Sequence, residues 1–327
     1  MERIKIKNFK KVLRTTQQEL KEMVIDYLKE QKYKPTVRDG FVYGAGEIPI
    51  LLVAHLDTVH KSLPTNIYFD PIKRVLWSPQ GIGGDDRCGV YMIMKLLEKY
   101  KPFVLFTEDE EIGAIGADKV VKQLVAPEVK FIIELDRRGN KDCVFYDCGN
   151  DDFHKYIESF GFETAMGSFS DICTLSSAWD IASVNLSSGY YNEHTISETI
   201  NINVMHNTIA KVSKILEDED EREFDYQEVV YNYSNYNYGY NNWGGYYSHN
   251  YTGYTSNEEF DDDEDALKEE IKHQQIYDYE DEYGYLDKDD SWHWWSEESY
   301  QKYQQKIDEE EKKNKKIDNS KKEKNES

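Results

Sequence analysis

Of 327 residues, 63 are acidic and 40 basic, and the formal charge of -23 sits at one end: residues 1–216 carry 30 acids against 27 bases, residues 217–327 carry 33 against 13. That distribution excludes the basic, patterned surface of a nucleic-acid-binding protein, and the acidic end would repel phosphates. The start, Met1-Glu2-Arg3-Ile4-Lys5-Ile6-Lys7, offers no apolar stretch for an export signal or membrane span, and Cys88, Cys143, Cys148 and Cys173 lack CxxC spacing, so the expectation is a cytoplasmic protein without disulfides or metal-binding thiols.

In chain order, Thr16 with Glu19 three residues later resembles a capping box, and Leu20, Met23, Val24, Tyr27 and Leu28 follow at helical spacing. Residues 35–43 hold Asp39-Gly40 between β-favouring residues and predict a hairpin; residues 66–77, around Asp70-Pro71, predict another. Between them, 48–54 reads as a buried strand. Helix is expected over 89–100, strand over 103–106, helix over 114–124, strand over 129–135, helix over 152–160, strand over 181–186, and a closing amphipathic helix over 200–216. Alternation of this kind predicts one α/β domain, 1–216, with a mostly parallel mixed sheet and helices on both faces.

The rest, 217–327, is expected to be disordered. It holds a Tyr, Asn, Gly and Ser tract over 226–254, an acidic block around Asp261 and a Lys/Glu-rich end almost free of aliphatic residues. Trp292, Trp294 and Trp295 offer a contact for an unknown protein partner, although solvated low complexity is the simpler account.

Five short segments carry the chemistry: His55-Leu56-Asp57, Gly84-Asp85-Asp86, Glu110-Glu111, Asp136 and His194. Most follow an apolar run, and loops at the carboxyl ends of parallel strands converge beside one crevice. Singly, His-x-Asp is a satisfied turn and Asp-Asp a solvated loop; in this order they read as a two-metal hydrolase site. Two zinc-like ions about 3.5–4 Å apart need imidazole and carboxylate ligands and one bridging carboxylate. Asp85 is the expected bridge. His55 and Asp136 would complete one ion's shell, Glu111 and His194 the other, with Asp57 orienting His55 from behind. Glu110 is the expected general base, taking a proton from the attacking water and returning it to the leaving amine.

The segments Ala54-His55-Leu56-Asp57, Gly83-Gly84-Asp85-Asp86-Arg87-Cys88-Gly89, Phe106-Thr107-Glu108-Asp109-Glu110-Glu111-Ile112-Gly113 and Glu134-Leu135-Asp136 resemble the metal motifs of co-catalytic di-zinc exopeptidases, a group that includes aminopeptidases, peptidase T, carboxypeptidase G and aminoacylases. The resemblance implies the roles just given, two Zn2+ ions with Co2+ or Mn2+ as substitutes, and a non-proline cis peptide between Asp85 and Asp86. His194, in Tyr190-Tyr191-Asn192-Glu193-His194-Thr195-Ile196-Ser197-Glu198, takes the late position and the following Thr and Glu of the last ligand; the competing His206 falls inside a helical run. Members resembling peptidase T or carboxypeptidase G insert a lid after the segment of Asp136, and the 57 residues between Asp136 and His194 are too few for one, so the chain looks closer to single-domain aminopeptidases. An oxyanion donor that a lid would supply is then sought at Tyr190 or Tyr191, and Asp171 resembles the Asp of a Ser-Asp pair near the substrate pocket. The implied substrate is a peptide losing its amino-terminal residue. An N-acyl amino acid or a dipeptide is the alternative, and an inert binding protein acting through its tail is the reading from another class.

Overall fold

A computed structural model describes residues 4–229, together with 279–280, 284–286 and 292–294. The chain divides into a unit over Met1–Tyr231 and a second over Asn232–Ser327. In the second, β13 (Tyr279–Glu280), β14 (Gly284–Leu286) and β15 (Trp292–Trp294) form a small antiparallel sheet. Of the tail for which disorder is expected, 217–229 is described with the first unit, and the rest, apart from these strands, lies outside the described residues.

The first unit is built on an eight-stranded sheet in the order β1-β2-β6-β3-β7-β10-β8-β9. Its centre is parallel: β6 (Pro102–Thr107), β3 (Ile48–His55), β7 (Phe131–Arg137) and β10 (Ser183–Ser187) run together. β3, β6 and the start of β7 are continuous apolar runs of the sequence, and β10, Ser183-Val184-Asn185-Leu186-Ser187, is buried throughout as well. Antiparallel flanks come from the hairpin β1 (Thr36–Arg38) and β2 (Phe41–Gly44), and from β8 (Asp142–Val144), which carries the short β9 (Glu163–Thr164). The β1–β2 turn is where Asp39-Gly40 predicts it, and Gly40 adopts φ +92°, open to a residue without a Cβ.

Strand alternation sends Leu51, Val53, Leu105 and Ile132 to one face, where they pack with Ala117 and Val120 of α4 (Ile115–Gln123) and Ile172 and Leu175 of α6 (Asp171–Trp179). The opposite face is covered by α3 (Gly84–Leu97), which packs on β3 and β7 and carries α1 (Ile6–Leu13) and α7 (Ile202–Glu217). The predicted capping box is present at α2 (Gln17–Glu30): Glu19 N–H donates to Thr16 Oγ1 at 3.2 Å and Thr16 N–H to Glu19 Oε2 at 2.8 Å. The hairpin β4 (Tyr68–Asp70) and β5 (Val75–Trp77) does not join the main sheet. It pairs with β12 (Thr199–Asn201) and β11 (Tyr190–Tyr191) in a separate antiparallel sheet. The remaining helix, α5 (Asp151–Glu158), is capped by Asn150, whose Oδ1 accepts from Phe153 N–H at 3.1 Å.

The expected boundary at 216 falls short. Residues 218–229 return across the unit: Phe224 N–H donates to Lys130 O at 3.0 Å and Phe224 O accepts from Ala182 N–H at 2.8 Å. The Phe224 ring lies 5.9, 5.1 and 5.3 Å from Phe131, Phe153 and Tyr156. Phe224 itself is 5 % exposed, and burying it against these rings is the physical reason the compact unit continues past α7.

Candidate metal centre

The parallel strands end side by side. In register, His55 at the end of β3 sits opposite Thr107 at the end of β6, and β7 continues past Glu134 to Asp136. A loop over 108–114 leaves β6. On the α3 side, Gly83 (φ +65°) turns the chain into a cis Asp85–Asp86 peptide at the helix start. His194 reaches the same edge from the loop between β11 and β12, in the left-handed region at φ +63°.

The five expected ligands meet in two groups that share one member. His55 Nε2 lies 3.1 Å from Asp85 Oδ1 and 3.4 Å from Asp136 Oδ1. His194 Nε2 lies 3.2 Å from Asp85 Oδ2 and 3.0 Å from Glu111 Oε2. Within each group, one ligand atom per residue falls inside 4.8 Å of the others. Asp85 therefore turns its two oxygens to two different imidazole–carboxylate groups, as a bridging carboxylate must. Among the described residues, no thiol enters either group; the four cysteines are free.

Asp57 does more than orient His55. Its Oδ1 is 3.2 Å from His55 Nδ1 and accepts from Glu110 N–H at 3.1 Å, while Oδ2 accepts from Glu111 N–H at 3.0 Å. One carboxylate thus sets both the imidazole and the loop that carries the expected base and a ligand. The acidic run splits by task. Glu108 pairs with Lys21 and accepts from Gly40 N–H at 2.9 Å, tying α2 and the β1–β2 turn to the loop, and Asp109 Oδ1 accepts from Gln17 Nε2 at 3.1 Å. Only Glu110 and Glu111 face the centre.

Asp136 is held on its backbone by Asn185, whose Oδ1 accepts from Asp136 N–H at 2.9 Å and whose Nδ2 donates to Asp136 O at 3.0 Å. Asp86 Oδ2 accepts from His55 N–H at 3.3 Å and its Oδ1 from Gly89 N–H at 2.9 Å. Asp86 belongs to the segment that delivers Asp85, whereas Asn185 stands outside every ligand segment, so pattern alone does not single it out. Glu198 is marked in the sequence only as the Glu that follows His194; it is 1 % exposed, and its carboxylate accepts from Gly83 and Asp85 N–H at 2.9 Å each.

The electrostatics are those of a crowded, buried acidic site. Burial opposes a charge on His55, yet Asp136, Asp57 and Asp85 outweigh it and hold the imidazole well above its usual range. Hydrogen bonds to Asp85 and Glu111 raise His194 to about 11. Asp85 is buried, but the two imidazoles keep it well below the carboxylate range. Burial and the charge of Asp85 push Asp136 up to about 7. Burial, with Asp136, Asp171 and Glu111 nearby, pushes Glu110 up to about 9. Cations suit this set: they would offset the mutual repulsion of the clustered carboxylates, and buried Glu111 Oε1 has no hydrogen-bond partner.

The oxyanion candidates fare differently. Tyr190, 3 % exposed, has its single proton directed at Asp136, with its hydroxyl 3.0 Å from the carbonyl and 3.1 Å from Oδ1, so it holds a ligand instead of awaiting an oxyanion. Tyr191, the next residue of β11, alternates away from it and has Asp142 as its charged neighbour. Asp171 lies at the start of α6 with Oδ2 accepting from Thr107 Oγ1; burial raises it to about 6, and its charge acts on Glu110. His206 sits in α7, away from both groups, with Nε2 3.2 Å from Ile4 N.

No family model and no curated protein matches the sequence. Among solved structures, the chain is similar to aminopeptidase PepT from Bacillus cereus (TM-score 0.54, 14% identity, 65% of this chain and 97% of that one). It is also similar to a tripeptidase from Staphylococcus aureus (0.55, 13%, 65% and 96%) and to the TET1 peptidase of Pyrococcus horikoshii (0.51, 14%, 64% and 98%). At such identity the likeness is one of fold: the first unit has the α/β architecture found in these peptidases.

Proposed function

We propose that this protein is a two-metal hydrolase of peptide amide bonds, acting as an aminopeptidase on the di-zinc exopeptidase plan. The observation that carries the reading is Asp85, whose two oxygens face the His55–Asp136 and the Glu111–His194 groups at 3.1 and 3.2 Å. The imidazole and carboxylate donors suit Zn2+, with Co2+ or Mn2+ as substitutes. Held by His55, Asp85 and Asp136 and by Asp85, Glu111 and His194, two such ions would supply Lewis acidity toward a carbonyl and a lowered pKa for water.

The chain's own residues do the rest. Glu110, whose N–H is fixed by Asp57, takes a proton from the water attacking the scissile carbonyl and delivers it to the amine nitrogen as the C–N bond breaks. Asp57 holds His55 in one orientation, and Tyr190 and Asn185 hold Asp136. Between Asp136 and His194 the chain is used up by β8, α5, β9, α6, β10 and β11, which supports the branch without an inserted lid. The similarity to an aminopeptidase and a tripeptidase supports a peptide substrate with a free amino end. The free cysteines support a reducing, cytoplasmic setting, and among the described residues no helix is long and apolar enough to cross a membrane.

Incubating the protein with dipeptides, tripeptides, amino-blocked peptides and N-acyl amino acids in Zn2+, Co2+ or Mn2+ tests the reading. Free-amine peptides should be cleaved and blocked ones spared. Faster turnover of N-acyl amino acids would assign the site to that substrate class. Two bound ions without hydrolysis of any of these would favour an inert fold that recruits a protein partner through its tail.

A further inference from the structure

We propose that His60 and Glu198 are positioning residues that clamp the bridging carboxylate and govern the second cation position, that of Asp85, Glu111 and His194, more than the first. The inference rests on the two-cation reading and deepens it by ranking the two positions.

The clamp is one buried carboxylate with three donors. Glu198 Oε2 lies 2.8 Å from His60 Nε2 and accepts from Gly83 N–H at 2.9 Å; Oε1 accepts from Asp85 N–H at 2.9 Å. The turn that delivers Asp85 is thus gripped at its first residue and at the bridge itself. His60 braces the grip from the other side. Its ring, with the side chain 10 % exposed, lies so close against Gly81 (φ +82°) that a Cβ there would collide with it. Gly84 is equally enclosed: a Cβ would sit 2.7 Å from Ile200, 2.9 Å from Tyr190 and 3.1 Å from Glu198 Oε1. The turn has no room to shift while Glu198 stays in place.

Glu198 also stands four residues after His194, at the end of the same loop. Its side chain therefore ties the loop that carries His194 to the backbone of the bridge Asp85; these are the two ligands of the second position that come from outside the 108–114 loop. That imidazole needs the link. His194 is 47 % exposed in its side chain, and its ring nitrogen meets only Asp85 and Glu111, whereas His55 is fully buried and fixed through Asp57 at Nδ1 and through Asp86 at its backbone. Asp136 is likewise fixed by Asn185 and Tyr190. The first position has supports independent of Glu198; the second shares its bridge with the first and depends on the clamp for its loop. Outer hydrogen bonds of this kind are worth about 10- to 100-fold in metal affinity.

The test is cation binding by the ion-free protein, measured by calorimetry with Co2+, for the unsubstituted chain, His60→Phe and Glu198→Gln. The Phe ring keeps the packing on Gly81 and removes the donor; Gln keeps the shape and turns one acceptor into a donor. The unsubstituted protein should bind two ions. Both variants should weaken the second by at least about tenfold and hold the first within about threefold, with anomalous X-ray scattering placing the retained ion beside His55 and Asp136. In the ion-free protein, amide hydrogen exchange at Gly83 and Asp85 should quicken in both variants. General loosening of the fold would weaken both ions together, so parallel loss overturns the proposal, as does unchanged binding. No ion bound by the unsubstituted protein overturns the metal reading and the clamp with it.

Discussion

Replacing Asp57 by Asn isolates how much the loop 108–114 owes to one carboxylate. Asp57 is 8 % exposed, and although burial opposes its charge, the bond to His55 and the N–H groups of Glu111 and Glu110 keep it below the usual range, so it is a charged acceptor of three donors. Asparagine keeps the shape and loses one acceptor. With its oxygen toward His55 Nδ1 and Glu110 N–H, its NH2 group meets Glu111 N–H, where Oδ2 now accepts at 3.0 Å. One hydrogen bond to a charged group is lost, about 1.5–3 kcal/mol. At 1.4 kcal/mol per tenfold, that is about 10- to 150-fold. Because the same loop carries the base and a ligand, the loss should appear in kcat/KM for a free-amine dipeptide and in cation affinity measured by calorimetry. Values of both within about threefold of the unsubstituted protein would refute the assignment of Asp57 as the support of this loop.

Glu110→Gln should leave two ions bound and lower kcat by about 100- to 10,000-fold; an active variant would assign proton transfer to another group. The ion-free protein should lose thermal stability as pH rises from 5 to 9. Asp171, Asp136 and Glu110 titrate at about 6, 7 and 9 in the fold against about 4 when unfolded, so the folded chain holds more protons across that window and stability falls through it. His194, raised to about 11, contributes stability fully below its unfolded value near 6.5, and that too declines toward alkaline pH. Melting curves of ion-free and Zn2+-loaded protein check this, with the loaded form flatter; a melting temperature that rises from pH 5 to 9 without ions contradicts it. Phe224→Ala should destabilise the first unit by about 3–5 kcal/mol in urea unfolding, since it empties a space lined by Phe131, Phe153 and Tyr156. A chain ending at Tyr231 should unfold like the full protein, and one ending at Leu216 should not.

The ligands could be read from sequence because each interrupts or ends a run of a different character. Polar residues at the end of Leu51-Leu52-Val53-Ala54-His55 or of Phe131-Ile132-Ile133-Glu134-Leu135-Asp136 stand near where a parallel strand leaves the sheet, and a crevice forms there. Among their supports, Asp57 is marked by standing two residues after His55, but Asn185, Tyr190 and Glu198 give no sign of what they hold. Glu198 lies in Thr195-Ile196-Ser197-Glu198-Thr199, which by composition is a solvated loop, and only the turn at Gly83 shows what it grips. Tyr190 suggests a free hydroxyl until the distance to Asp136 is known. Helix α6 is hidden in Asp171-Ile172-Cys173-Thr174-Leu175-Ser176-Ser177, residues of modest helix propensity held helical by the burial of Ile172 and Leu175. Phe224, set among Glu, Arg and Asp, looks like tail until three rings are found beneath it.

Asp85 has a meaning for chain topology as well as for chemistry. The ligands come from the end of β3, the entry to α3, the loop after β6, the end of β7 and the loop before β12, segments far apart along the polymer. A cation pair joined through Asp85 would act as a multi-armed cross-link, closing several long loops with one knot and adding its binding free energy to that of folding. Chelation would cut the knot at once. What relaxes first would be the two loops that carry Glu111 and His194, while the eight-stranded sheet beneath them stays closed on its own hydrophobic contacts.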